Sequence, residues 1–418
     1  MRQQLRLLTC LTAIGLSAPA LAQEQEQMLL QKTGIESFIN HIWELSPAIG
    51  ESNARVTAAE SGQRAASKWG YNPEVEFEFE DVDGEDKTKL FGISQTIDWS
   101  GKFISSGKTA SFELQAVEAD RDEIRQNTAL NVLSSLADYR AAKDIYNLAV
   151  ERSGLMERFA TLARKGFKAG DIDQSEKNLA QLALSEALIV QADAENALAE
   201  TKQALDSSIG FPLDNGFALP KLPSTLPELP EILNEDQILM ALPHLRAMRS
   251  REEAAKAVIT GAQKNRLPDP TIGIIGGQDA GADMIGFSVS VPLNIFNTYG
   301  AEVDQAKADA IAQAKAGQNA FYSAQTRLQA ARRSYQLSSR AWENWQENGA
   351  QALAEQTDIL DRKFKVGDLS ATDYLVQVEQ ALDTQVAAEE LHSKVWKSWF
   401  AWLGASGTIN KWIQNLGE

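Results

Sequence analysis

The amino-acid sequence predicts a mixed fold, in which long antiparallel α-helices are combined with short β-strands that span a membrane. The first observation behind this prediction is a repeated turn. The stretch KGFKAGDI at residues 165–172 returns as RKFKVGDL at residues 362–369, with Gly170 and Gly367 separated by 197 positions. The second observation is a set of short segments with strictly alternating apolar and polar residues, which is typical of β-strands with two different faces.

Each repeated turn lies between two long helical stretches, which indicates the tip of a helical hairpin. The run from Phe103 to Lys168 lacks proline and would form a helix of about 100 Å. Helices are also predicted from Gln174 to Ser208, from Ala301 to Lys365 and from Ala371 to Leu403. A single glycine turn would also fit an ordinary helix C-cap. Two copies at a constant offset favour hairpin tips in a duplicated protein.

The two halves share one order of elements: a helix, a strand hairpin, a long helix, a glycine turn and a return helix. In the first half, the early helix is predicted from Ile35 to Lys68, with Ser46-Pro47 as a start signal. The predicted divisions are a signal peptide (1–22), a first repeat (23–211), a proline-rich connector (212–231), a second repeat (232–404) and a C-terminal tail (405–418).

The first predicted strand places three glutamates, Glu76, Glu78 and Glu80, on the face opposite its apolar residues. The apolar residues of the four predicted strands are Val75, Phe77 and Phe79, then Phe91, Ile93, Ile97 and Trp99, then Ile272 and Ile274, then Ile285, Phe287, Val289 and Val291. Four strands cannot close a barrel, which needs about eight. We therefore expect several chains to contribute strands to one barrel. The alternative for the glutamates is the solvated face of an ordinary antiparallel sheet.

The N-terminus has the features of a cleavable export signal. Arg2 and Arg6 precede the apolar run Leu7–Leu16, and Ala20-Leu21-Ala22 forms a cleavage site. Cys10, the only cysteine, lies inside this segment, so we expect neither a disulfide nor a cysteine metal site. No later segment holds 18 consecutive apolar residues, so no transmembrane helix is predicted.

Composition excludes several classes of function. The net charge of −17 does not favour nucleic acid, whose recognition needs basic surface, but it suits a surface that attracts cations. His41, His244 and His392 lie far apart in the sequence, which argues against a metal site. We find no catalytic constellation, phosphate loop or dinucleotide motif, so the sequence predicts neither an enzyme nor a bound cofactor.

Over essentially the whole mature sequence, the chain resembles the outer membrane factor family, the TolC-like trimeric exit ducts of Gram-negative bacteria. The resemblance rests on the export signal, the internal repeat, the strand hairpins and the two glycine tips. Residues 72–81 (NPEVEFEFED), 93–97 (ISQTI) and Gly101-Lys102 are most similar to the CzcC-type subgroup, which serves heavy-metal efflux. Ser100 and Phe103 depart from the subgroup pattern.

This resemblance implies a homotrimer with a twelve-stranded β-barrel in outer-membrane lipid and a twelve-helix α-barrel in the periplasm. The hairpin tips would contact a periplasmic adaptor protein, which links the duct to an inner-membrane pump of the RND type. The implied contact residues are Phe167, Lys168, Gly170, Asp171, Phe364, Lys365, Gly367 and Asp368. Glu76, Glu78 and Glu80 would face the barrel lumen.

The family also places acidic residues on the return helix after the second tip, where they ring the constriction of the duct. Counting from Gly367, the first such position is Asp373, and the second falls on Val376. Glu176 has the same offset from Gly170. The alternative for both carboxylates is a solvated helix face. Trp396, Trp399, Phe400 and Leu403 recur at helical spacing and are predicted to pack in a core, with an aromatic membrane belt as the alternative.

The expected function is a passive outer-membrane duct of a tripartite efflux system, with heavy-metal cations as the expected cargo. The same fold would serve a duct for drugs or for polypeptides of type I secretion. A periplasmic coiled-coil adaptor or scaffold is the alternative from another class, but it would carry one helical hairpin flanked by small β-domains.

Overall fold

The computed structural model describes residues 34–416 except residues 69, 83–85, 211–218, 232 and 367. The predicted signal peptide, residues 1–22, lies outside this described part. So does Gly367, the glycine of the second predicted tip.

The first half has the predicted order of elements. In chain order they are α1 (Ile35–Leu45), α2 (Pro47–Ala66), β1 (Glu74–Val82), β2 (Asp86–Thr96), α3 (Lys102–Ala169) and α4 (Gln174–Ile209). The single early helix of the prediction is divided at Ser46, because Pro47 is the first residue of a new helix. α3 is 68 residues long, which corresponds to about 100 Å. Asp98 stabilises its start at Lys102, since the Asp98 carboxylate accepts hydrogen bonds from the N–H groups of Lys102 and Phe103.

The second half repeats this order with two differences. Its elements are α5 (Glu235–Ala241), α6 (Pro243–Asn265), β3 (Thr271–Asp279), β4 (Ala282–Ser290), α7 (Gly300–Asn344), α8 (Ala350–Val366), α9 (Ala371–Ser406) and α10 (Ile409–Asn415). A π-helical turn, Trp345–Gly349, joins α7 to α8, whereas the sequence predicted one uninterrupted helix. The predicted tail also contains α10, which the sequence did not predict.

The four strands form one antiparallel sheet in the order β1-β2-β3-β4. β2 and β3 come from different repeats, and Ile93 pairs with Ile274 where they meet. Among the described residues, β1 and β4 are each paired on one side only. β2 ends at Thr96, so Ile97 and Trp99 lie beyond the strand in which they were predicted. Apolar alternation continues past the end of the strand, although the N–H of Ile97 still donates to the carbonyl oxygen of Pro270 at 2.9 Å.

The helices pack side by side along the molecule. Next to the sheet, α3 packs against α2 and α6, and α6 packs against α7. Farther away, α4 packs on α3, and α9 packs on both α3 and α7. None of the described helices combines the length and apolar character needed to cross a bilayer.

The main hydrophobic core lies at mid-length, where α1, α3, α4, α7, α9 and α10 meet. Trp396, Trp399, Phe400 and Leu403 are all buried in it, which confirms the predicted packing role. The described part of the connector, residues 219–231, lies against this core through Leu219, Leu222, Leu226 and Leu229. Arg140 fixes the connector by donating to the carbonyl oxygens of Leu219 and Pro220.

Candidate functional site

The first tip is a helix ending in a left-handed glycine. Gly170 has φ +84°, a region that L side chains rarely occupy. The N–H of Asp171 donates to the carbonyl oxygen of Gly166 at 2.9 Å, which is the long hydrogen bond of a Schellman cap. Basic residues near this end, such as Lys168, are favoured by the helix dipole.

The second tip closes in the same way. The N–H of Asp368 donates to the carbonyl oxygen of Lys363 at 3.0 Å, the equivalent of the bond between Asp171 and Gly166. Gly367 and the side chain of Lys365 lie outside the described residues. The repeated sequence therefore gives the same backbone hydrogen bond at both tips.

Two of the predicted contact residues are partly covered. The ring of Phe364 is stacked on Tyr374, with centroids 4.2 Å apart, and packs in a second core just above the tips. This core joins both hairpins and contains Met156, Phe159, Ala180, Leu360 and Tyr374. Phe167 lies under the ammonium group of Lys177, 4.6 Å from the ring centroid. Lys168, Asp171 and Asp368 are exposed, and Phe167 also keeps 38% of its surface exposed.

The two predicted gate carboxylates occupy equivalent places at the starts of the return helices. Glu176 forms a capping box with Asp173: its N–H donates to Asp173, and its carboxylate accepts from the N–H of Asp173 at 3.1 Å. Asp373 accepts a hydrogen bond of 2.7 Å from the hydroxyl of Ser370. Both carboxylates are exposed. Glu176 helps to cap its helix directly, whereas Asp373 holds the hydroxyl of Ser370, which accepts from the N–H of Asp373 as the helix cap. The assignment as gate residues stays a prediction.

The sheet has two chemically different faces. Val75, Phe77, Ile93, Ile274 and Phe287 lie on one face and are exposed. The register places Glu76 opposite Gly92, Glu78 opposite Leu90 and Glu80 opposite Thr88 on the other face. The three glutamates are exposed and lie in a row along one edge strand, about 7 Å apart.

Ion pairs that the sequence did not predict join the repeats. Arg152, on α3, donates to Asp383 on α9 at 3.0 Å and lies 3.6 Å from Glu379. Near the sheet, Lys102 pairs with Asp269 at 2.8 Å. No local pattern indicates these pairs, because their members are far apart in the sequence.

The three histidines lie apart in the structure. His244 is 3.4 Å from Glu123, whereas His392 accepts a hydrogen bond from the indole N–H of Trp396. The described residues contain no group of three or more His, Cys, Asp or Glu side chains arranged to hold a metal ion.

Solved structures with this arrangement of helices and strands are outer-membrane channels. The outer-membrane channel OprN superposes with a TM-score of 0.76 over 92% of this chain and 92% of its own, at 14% identity. The fold is that of the outer membrane factor channels. The outer-membrane channel CmeC of Campylobacter jejuni has this channel fold too, with a TM-score of 0.73, 16% identity and coverage of 91% of this chain and 89% of its own.

A protein of known name resembles part of this chain in sequence. The cobalt-zinc-cadmium resistance protein CzcC of Cupriavidus metallidurans is 24% identical over 235 residues. The matched region spans 54% of this chain and 54% of the relative, so about half of CzcC is covered. No family model matches the chain. The predicted resemblance to the outer membrane factor family and to its CzcC-type subgroup is confirmed by these comparisons.

Proposed function

We propose that this protein is the exit duct of a tripartite efflux system in the outer membrane of a Gram-negative bacterium. The observation that carries the proposal is the open four-stranded sheet with an exposed apolar face. Phe77 and Phe287 on this face are 71% and 68% exposed, which is unfavourable in water and suits contact with lipid.

The open edges support an oligomer. An unpaired strand edge invites pairing with another chain, and β1 of one copy is free to pair with β4 of the next. Three copies would supply twelve strands, enough for a closed barrel. The long helices would continue this barrel as a tube into the periplasm.

Transport through such a duct is passive, and energy comes from an inner-membrane pump of the RND type. A periplasmic adaptor docks on the exposed tip residues Lys168, Asp171 and Asp368, and the hairpins separate to admit cargo. Gly367→Pro tests this role, because proline removes a backbone donor from the turn. We expect the variant to reach the outer membrane and to lose efflux. Normal resistance in this variant would argue against the tip as the adaptor contact.

The proposed cargo is heavy-metal cations. The name of the matched relative, a cobalt-zinc-cadmium resistance protein, and the row of Glu76, Glu78 and Glu80 support it, since carboxylates along a pore favour cations. The decisive experiment is deletion of the gene, followed by growth on zinc, cobalt, cadmium, copper and a panel of dyes. We expect the deletion strain to be sensitive to metals and a plasmid copy of the gene to restore resistance. Sensitivity to dyes without sensitivity to metals would instead indicate that the cargo is drugs.

Membrane fractionation tests the duct itself. We expect the protein in the outer-membrane fraction as an oligomer. A soluble periplasmic monomer would instead support the adaptor or scaffold alternative.

A further inference from the structure

The apolar face of the sheet continues beyond the end of β4. Ser290 is the last residue of this strand, but every second residue after it is still apolar and exposed: Val291, Leu293 and Ile295. Leu293 is 74% exposed, and Phe296 next to this row is 98% exposed. The segment then reaches the start of α7 at Gly300.

The junction between β2 and α3 repeats this feature. β2 ends at Thr96, and Trp99 follows it with 66% of its surface exposed. Both junctions lie at the helical end of the sheet. The exposed apolar residues at this end therefore come from two places in the chain, and we call Trp99, Val291, Leu293, Ile295 and Phe296 the collar.

At the other end of the sheet, polar residues limit the apolar face. Asp81, Lys89 and Asp283 take the next positions outward from Phe79, Phe91 and Ile285 on this face. On β4 the apolar face then extends only from Ile285 to Val289. At about 3.4 Å per residue and a tilt of roughly 40°, this stretch covers only ~10 Å of height.

A membrane β-barrel presents an outward apolar band about 25 Å tall. The strands alone fall short of this height, and polar residues prevent an extension at the far end. At the same rise and tilt, the chain from Ile285 to Ile295 would cover up to ~25 Å before it bends at Ile295 and Phe296. The collar thus supplies the height that the strands lack.

We propose that the collar contacts lipid and forms the inner-leaflet part of the apolar band. This inference rests on the proposed insertion of the sheet in the outer membrane. The periplasmic boundary of the bilayer then lies at Trp99 and Phe296 instead of at the ends of the strands. Tryptophan is the residue type most favoured at such a boundary, because its ring is apolar and its N–H is polar.

Spin labels can test the collar in the full-length protein. Cys10 is the only cysteine, so a Cys10→Ser background allows single labels at Trp99→Cys and Phe296→Cys. Phe287→Cys on the outer face of β4 is the matched lipid control. Ser288→Cys, on the opposite face of the same strand, is the matched control for the lumen. Each protein is labelled with a nitroxide in lipid nanodiscs, and its collision rates with oxygen and with a water-soluble nickel chelate are compared.

We expect the labels at positions 99 and 296 to resemble the label at 287, with high oxygen and low nickel accessibility. High nickel accessibility there would place the collar in water. Low accessibility to both reagents, with an immobilised label, would mean that a neighbouring copy covers the collar. Either result overturns the inference.

The control at Phe287 separates this inference from the proposed function. If Phe287→Cys lacks the lipid profile, the sheet is not in the membrane and both proposals fall. If it has this profile and the collar labels do not, only the proposal that the collar contacts lipid is rejected. Should Trp99→Cys fail to assemble, brominated lipid can quench native tryptophan fluorescence instead. The quenching should be smaller in Trp99→Phe than in the wild type, and equal quenching would overturn the assignment of Trp99.

Discussion

The ammonium group of Lys102 lies 2.8 Å from a carboxylate oxygen of Asp269, a residue 167 positions away. Lys102 is the first residue of α3 in the first repeat, whereas Asp269 precedes β3 in the second repeat. The Asp269 side chain is only 5% exposed, and the hydroxyl of Tyr71 also donates to it at 2.8 Å. This pair fastens the two repeats together where helices and sheet meet.

Lys102→Met should destabilise the protein by about 3 kcal/mol, because it leaves a buried carboxylate without its cation. Urea unfolding of the detergent-solubilised protein measures this loss. The double variant Lys102→Met/Asp269→Asn should recover most of the stability, since neither charge then remains. If the double variant is as unstable as Lys102→Met, the charge pairing does not explain the loss.

Removing Arg152 should cost less stability than removing the charges of its two carboxylate partners. Its side chain is 10% exposed, whereas Asp383 is 68% exposed and Glu379 is 30% exposed. Removing the cation with Arg152→Met leaves two hydrated carboxylates and should cost about 1 kcal/mol. Glu379→Gln/Asp383→Asn leaves a buried guanidinium without a counter-charge and should cost about 3 kcal/mol. Equal losses in thermal or urea unfolding would contradict this account.

Gly170→Ala should cost about 1–2 kcal/mol, because alanine is strained in the left-handed region. A Cβ at this position would meet no atom within 4 Å, so backbone strain is the only unfavourable contribution. Gly166→Ala is the matched control, four residues earlier in a regular helix. Its Cβ would make ordinary contact with Ile172 at 3.6 Å, and we expect a gain of about 0.5–1 kcal/mol. A loss of stability for Gly170→Ala and a gain for Gly166→Ala in urea unfolding would support the tip geometry. Two losses of equal size would contradict it.

Replacing Glu76, Glu78 and Glu80 by glutamine should reduce the preference of the proposed pore for cations. The three side chains share one face of β1, so neutralising them removes a row of negative charge from one side of the sheet. Conductance in planar bilayers under a salt gradient gives the cation-to-anion permeability ratio. Asp81→Asn is the control, since Asp81 lies on the opposite face. An unchanged ratio in the triple variant would remove these glutamates from the lumen.

His392 should make the protein less stable in mild acid. Burial lowers the pKa of this imidazole, although the nearby carboxylate of Asp144 acts in the opposite direction. The ring is stacked on Trp342 at 4.5 Å and accepts from Trp396. The folded state binds this proton more weakly than the unfolded state does. The contribution of His392 to the free energy of unfolding is therefore complete above about pH 6.5 and declines as the pH falls towards the folded pKa.

The measurement is the thermal midpoint between about pH 7.5 and pH 5.5, on either side of the usual histidine pKa, in the wild type and in His392→Gln. Glutamine can accept from Trp396 but does not titrate, so its midpoint should fall less on acidification. Burial and Asp144 raise the pKa of Glu389, so this residue changes stability with the opposite sign. Its contribution is the same in both proteins and cancels when they are compared. A parallel decline in both proteins would exclude His392 as the cause.

Local patterns in the sequence were sufficient for the strands and the tips. The alternation from Val75 to Glu80 assigns each side chain to a face, because successive residues of a strand point to opposite sides. The glycine turns were predictable for a similar reason, since a left-handed cap selects glycine. The same reasoning overextended β2 to Trp99, because apolar alternation does not show where the partner strand ends.

The contacts between repeats could not be predicted in this way. Arg152 and Asp383 are 231 positions apart, and nothing near either residue indicates the other. The offset from Gly367 selected Asp373, but it did not reveal that this carboxylate accepts from Ser370 in a helix cap. The π-helical turn at Trp345–Gly349 was also missed, since it contains no proline and a single glycine is tolerated inside a helix.

That turn bears on how the two halves diverged after duplication. Tyr139 and Tyr335 both pack on the main core and are 196 positions apart, whereas Gly170 and Gly367 are 197 apart. The spacing from tyrosine to glycine is thus one residue longer in the second half, and the π-helical turn within this stretch can hold one extra residue. Because the turn absorbs the extra residue, later side chains keep their places around the helix axis, whereas one residue added to regular α-helix would turn them by about 100°. Two hairpins whose long helices differ in length can therefore end in the same backbone hydrogen bond, from Asp171 to Gly166 and from Asp368 to Lys363.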